Sequence, residues 1–220
     1  MKNISFDLKK ELPLIFMLIA TFAISMYFYP QLPEKIPTHW NFRGEIDGYS
    51  GKLAGAFMVP VINLVMYGMF IFLPALDPKR ENYKLFEGTY IYFRYLFHIF
   101  FIGMQILTIA AALGYNVDVG KWVVIGISLL FMFMGNVMGR LKHNYFVGIK
   151  TPWTLASEEV WTKTHRLGAV LWTGGGLIGV VLKLLYIYPE WMLFAILMLI
   201  TLIPAGYSYI LFNRLKKTDK

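Results

Sequence analysis

Six apolar stretches, at about 12–29, 53–76, 90–113, 121–141, 167–188 and 191–212, limit what this chain can become. A hydrocarbon core of about 30 Å is crossed by about 20 helical residues, and each stretch supplies that many. Nothing in lipid can satisfy a stray backbone amide, so each must be a helix. The alternating ten-residue segments of a membrane β-barrel are absent. With 57% hydrophobic and only 15% charged residues, disorder is excluded and a water-soluble domain is the poorer reading. The expectation is an all-α integral membrane protein of the cell membrane, with residues 1–220 forming one polytopic domain of six transmembrane helices. The first stretch follows Lys2, Lys9 and Lys10, as a signal peptide would, but it ends in Met26-Tyr27-Phe28-Tyr29-Pro30 without a small-residue cleavage site. It reads as an uncleaved span.

The formal charge of +8 would suggest a nucleic-acid partner in a soluble protein. Here the cations flank the apolar stretches, and their placement reads as topology; no direct nucleic-acid contact is expected. With six spans, fifteen Lys and Arg share the side of the two termini, four lie on the other side, and Arg94 and Lys183 fall within spans. This bias predicts cytoplasmic termini. Tyr27, Tyr29, Trp122, Tyr186, Tyr188 and Trp191 sit near span ends, as an aromatic belt does. The absence of cysteine excludes disulfides, thiolate metal sites and thiol nucleophiles.

Two connections are too long to be mere turns, and such loops are usually functional. The external one, 30–52, opens with Pro30, Pro33 and Pro37, which deny a helix. The segment from Thr38 to Tyr49 then has Gly44 and Gly48 to permit turns, predicting a short hairpin on the outer face. Its residues suit a structural cap, with Trp40 and Phe42 buried and Asn41 and Asp47 closing turns. They equally suit a surface on which His39, Trp40 and Asn41 hold a peptide or glycan. One histidine with scattered carboxylates is a poor metal site, so none is assigned.

The cytoplasmic loop, 142–166, contains Pro152, which should stop the fourth helix. Thr154 or Ser157 can cap a new one, whose amino end Glu158 and Glu159 favour. Glu158, Trp161 and His165 then share a face, predicting a short amphipathic helix on the membrane surface ahead of the fifth span. Lys163 and Arg166, elsewhere around it, can meet lipid phosphates. A Glu158–His165 pair could do acid–base chemistry, but a tethering hydrogen bond is the plainer reading. No His-Glu-x-x-His, Gly-x-Ser-x-Gly or phosphate-binding glycine loop is present, and the chain is not read as an enzyme. No cofactor is expected.

Within the spans, Gly135 and Gly139, and Gly175 and Gly179, make small-residue steps that let helices approach closely, inside the monomer or, alternatively, in a homodimer. Asn136 beside the first step can bond across helices. Arg94, His98 and Gln105 form one stripe on the third span. Such intramembrane groups are functional candidates. Arg94 is expected to snorkel to the headgroups, while His98 and Gln105 can line a polar crevice or bond Asn63. A transport role is disfavoured because no acidic residue falls in any predicted span.

The cytoplasmic loop also carries a motif. Gly135-Asn136-x-Met138, Asn144-x-x-x-Gly148-Ile149-Lys150-Thr151-Pro152-Trp153-Thr154-Leu155 and Glu158-x-Val160-Trp161-x-x-Thr164-His165-Arg166 resemble the signature of the SdpI immunity-protein family. The external Leu32-Pro33-x-x-Ile36-Pro37-x-His39-Trp40-Asn41-x-x-Gly44-x-x-Asp47 is similar to the domain of unknown function that often forms the amino-terminal half of those proteins. The resemblance implies protection of a bacterial cell against a secreted peptide toxin met on the outer side. It also implies signalling, in which a small cytoplasmic repressor is held at the membrane. The motif residues on both loops are then the expected sites for these partners and for lipid. The alternative is a small membrane transporter or membrane-embedded enzyme.

Overall fold

In a computed structural model of the chain, residues 8–41, 45–185 and 190–218 are described. Gly44 and Phe42, expected in the external hairpin, and Tyr186 and Tyr188, expected in the aromatic belt, lie outside them. The six expected spans are all helical: α1 (Leu8–Phe28), α2 (Lys52–Leu76), α3 (Glu87–Ala112), α4 (Val119–Met138), α6 (Glu158–Leu185) and α7 (Glu190–Thr218). Each is long and apolar enough to cross a membrane. Between them lie a two-stranded antiparallel sheet, β1 (Lys35–Trp40) with β2 (Ile46–Gly51), and a five-residue helix α5 (Pro152–Ala156). A six-residue 3₁₀ segment, Arg80–Leu85, precedes α3. Just beyond α3, Gly114 adopts φ +83°, a value that favours glycine and turns the chain out of the helix.

Two compact units are distinguished. One holds Ser5–Phe70 with Arg94–Ile127; the other holds Ile71–Phe93 with the chain from Ser128 onward. In the first, the hairpin is seated by Leu32 and Ile36, which join Ala56, Ile109 and Ala112 in a buried cluster. Gly55 makes this seat: a Cβ there would lie 2.6 Å from Ile36 Cβ, so only a glycine lets α2 pass so near the strand. The Lys52 amide donates to the Glu34 carbonyl at 3.0 Å and closes the loop onto the start of α2.

In the second unit the glycine steps pack helix on helix. A Cβ at Gly135 would sit 2.5 Å from the Thr173 nitrogen, and one at Gly179 would sit 2.6 Å from Ser128 Oγ. Gly175 faces Ile200, and Trp172 Nε1 donates to the Ile200 carbonyl at 3.0 Å. Gly135, Gly175 and Gly179 therefore serve packing within the monomer, where lipid gives no hydrophobic drive and close backbone approach supplies the attraction, while Gly139, past the end of α4, has no neighbour that close. Asn136, expected to bond across helices, is instead exposed on α4.

Two expectations are corrected. The amphipathic helix ahead of the fifth span is not separate: Glu158 opens α6, which runs unbroken into the span. The separate helix is α5, because Thr151 caps it and extended backbone at Ser157 breaks the chain before α6. The first span also begins earlier than its apolar run, at Leu8, so Glu11 lies inside α1 and an acidic residue does occur in a span.

Candidate functional site

The 142–166 region is ordered by its own polar side chains. Asn144, fully buried, donates to the Lys142 and Val147 carbonyls and accepts from the Phe146 and Val147 amides. A single amide thereby folds the loop around itself, as asparagine does in local turns. Asp77 holds a second segment to it: its carboxylate accepts from the Lys79 and Tyr145 amides and from Tyr83 Oη. Burial, and the Asp77 charge beside it, push the Tyr83 phenol upward, so it stays a donor. Asn82 Nδ2 donates to the His143 carbonyl at 2.7 Å.

Thr151 and Thr154 cap α5 reciprocally, each side-chain oxygen accepting from the other's amide. Thr151 Oγ1 lies 2.9 Å from Ser208 Oγ on α7, and Trp153 packs against Tyr209 with ring centroids 4.9 Å apart. Thr154 also donates to the Ile149 carbonyl. Trp161, fully buried, donates through Nε1 to the Leu141 carbonyl. His165, also fully buried, donates from Nδ1 to the Trp161 carbonyl and accepts the Ile149 amide at Nε2. Both ring nitrogens are thus committed to backbone groups. Gly148 adopts φ +119° against this ring, a place for no other residue.

Glu158 and His165 do not meet. They lie seven residues, about 10 Å, apart along α6, and Glu158 is exposed. Glu158 reaches Lys79 Nζ at 3.4 Å instead, while Lys79 also donates to His143 Nδ1 at 2.9 Å. Lys163 is paired with Glu159 at 2.6 Å, and Arg166 and Pro152 are exposed. His143, Trp161 and His165 form a stack of rings, with centroids 5.1 Å and 4.0 Å apart.

His143, Asp77, Tyr83 and Lys79 escaped the sequence reading. The Asp77-Pro78 step was their one local signal, since Asp-Pro favours a turn. Burial, and then the Lys79 ammonium, hold the His143 imidazole below its ordinary pKa of 6.5. Glu158 opposes this more weakly. A depressed histidine stabilises the fold fully above 6.5, and that contribution is lost as pH falls through the folded-state value. The melting temperature of the purified protein should therefore drop on acidification below 6.5, and His143→Phe should flatten that drop.

In the hairpin, His39 Nδ1 and Asp47 Oδ1 lie 2.5 Å apart on exposed surface. Asn41 and Glu45 bond side chain to side chain and side chain to backbone, closing the turn. Trp40 is half-buried. This matches the cap reading for Asn41, while His39 and Asp47 remain presented outward. Among the described residues no group of three His, Asp or Glu could hold a metal ion.

The third-span stripe differs from expectation at Arg94. It does not snorkel: it is 5% exposed, and its guanidinium donates to both Glu11 oxygens, at 2.7 and 2.5 Å. Tyr67 Oη donates to the same carboxylate at 3.0 Å. The reason is Glu11 itself, whose place within α1 offers a closer anion than any headgroup. His98 donates from Nδ1 to Asn63 Oδ1, the expected partner. Gln105 Nε2 donates to Ser25 Oγ and the Ala56 carbonyl.

Two family models match parts of the chain. Residues 140–208 match the SdpI/YfhL protein family, and residues 16–64 match DUF1648, a domain of unknown function. The chain is similar to "Immunity protein SdpI" of Bacillus subtilis (strain 168), at 27% identity over 205 residues, which is 92% of this chain and 96% of that protein. It is also similar to "Uncharacterized membrane protein YbgB" of the same strain, at 43% identity over 47 residues, 21% of this chain and 52% of that protein. No solved structure matches. With six membrane-length helices and likeness along nearly its whole length to an immunity protein, the chain is a multi-pass protein of the plasma membrane that carries an SdpI/YfhL-like segment at 140–208 behind a DUF1648-like segment at 16–64.

Proposed function

We propose that this protein is a membrane immunity protein that shields its cell from a secreted peptide toxin. The likeness to "Immunity protein SdpI" over 92% of the chain carries the reading. In this proposal the cation bias puts the termini and 142–166 in the cytoplasm and the hairpin outside. The outward-facing His39–Asp47 pair and Trp40 meet the peptide, or a lipid that it attacks. Thr151, Pro152, Trp153, Glu158 and Arg166 form the face offered to a cytoplasmic repressor. Coupling the two requires states with different affinity for each ligand.

Expression in a toxin-sensitive strain tests the core of this: survival is expected, and killing at the control rate would refute it. Trp153→Ala should abolish membrane recruitment of the repressor while protein remains in the membrane. For topology, single thiols introduced at Thr38 and at Ala156 should differ, with only the first labelled in intact cells by an impermeant maleimide. A second reading, a small carrier, gains support from one observation, the acidic Glu11 within a span. It predicts solute accumulation in vesicles without any effect of toxin.

A further inference from the structure

The immunity reading leaves the polar interior of α1, α2 and α3 unused. Arg94, His98 and Gln105 stand at i, i+4 and i+11 of α3, within about 40° of one another and over about 16 Å of helix. Glu11 and Ser25 face them from α1, and Asn63, Tyr67 and the Ala56 carbonyl from α2. His98, Gln105, Asn63 and Ser25 are each fully buried.

Four atoms in this interior have no hydrogen-bond partner among the described residues: Arg94 Nε, Asn63 Nδ2, His98 Nε2 and Gln105 Oε1. Left so, each would carry the full desolvation penalty of a buried polar group, and buried polar atoms are ordinarily satisfied by protein or by ordered water. Their chemistry selects the ligand. Arg94 Nε and Asn63 Nδ2 are donors. Gln105 Oε1 is an acceptor, and so is His98 Nε2, because the Nδ1 proton is already given to Asn63. A metal cation would face two N–H donors and the Arg94 charge. An anion would face the lone pairs of His98 and Gln105. Water both donates and accepts, and it fits all four.

We propose that the interior of α1–α3 is a hydrated site, in which bound water joins Arg94 Nε, Asn63 Nδ2, His98 Nε2 and Gln105 Oε1 within the membrane span. Ordered waters in protein interiors serve buried polar groups that the protein itself leaves unsatisfied. The water gives the His98 imidazole an exchangeable neighbour, with Glu11, Tyr67 and Arg94 as the ionisable groups around it.

Solid-state NMR on the full chain in lipid vesicles tests this without toxin, so its outcome is separate from that of the immunity assay. Histidine and phenylalanine are isotopically labelled, and magnetisation transfer from water is followed. The four histidine signals are assigned by their loss in His39→Gln, His98→Gln, His143→Gln and His165→Gln. Should one variant fail to fold, its signal is found by elimination. The His98 ring is expected to gain water magnetisation within about threefold of the rate for exposed His39. Build-up as slow as that of Phe93, whose ring is buried and has no polar atom, would show a dry interior and overturn the proposal.

Discussion

Arg94→Met is expected to lose about 3–5 kcal/mol of folded-state stability, because it strands Glu11 as a buried charge. The two side chains are 6% and 7% exposed and make a two-pronged bond, which Tyr67 supports from α2. The guanidinium also lies 5.6 Å from the Tyr67 ring centroid, a contact that methionine only partly replaces. Removing both charges should behave differently. Glu11→Leu combined with Arg94→Met leaves no ion to desolvate, and replacement of a buried pair by apolar groups is often near neutral. Thermal unfolding of the purified protein in detergent measures both. Equal losses in the single and double variants would mean that the pair, as a pair, contributes nothing.

Gly148→Ala is expected to cost about 3 kcal/mol or more, from two sources that act together. At φ +119° any side chain is strained, and the new Cβ would overlap His165 Nε2. The ring cannot yield cheaply. It accepts the Ile149 amide, donates to the Trp161 carbonyl and stacks on the Trp161 indole. Relief of the clash therefore breaks the bonds that hold 142–166 to α6, and a shift in tryptophan fluorescence should accompany the fall in melting temperature. Gly139→Ala is the matched control. Its Cβ would meet nothing nearer than 3.9 Å, so its effect should stay within about 0.5 kcal/mol. If the two variants were equally stable, His165 would not be anchored as described.

How far the residues speak for themselves varies along the chain. The hairpin follows from three prolines and Gly48, and the strands form where those residues deny a helix. Thr151 and Thr154 belong to α5 because a threonine three residues before another can cap it, although the expected cap lay at Thr154 or Ser157. The pairing of His98 with Asn63 could be anticipated, since a buried imidazole in lipid must find a donor or acceptor on a neighbouring helix. The Glu158–His165 pairing failed. Sharing a helical face says nothing about which other element competes for each side chain, and Ile149 and Lys79 did compete. Asp77 and Tyr83 were invisible because their partners in the loop, the Tyr145 amide and Asn144, are more than sixty positions away.

The number of crossings, their helical form and the stiff loop between the first two were set by the chain alone, because hydropathy, proline geometry and backbone hydrogen bonding act over one turn or one bilayer thickness. Which polar group meets which was decided only in the tertiary structure. Glu11 and Arg94 are 83 residues apart. Each by itself borders an apolar run and could face water, and only the packing of α1 against α3 makes them one buried pair.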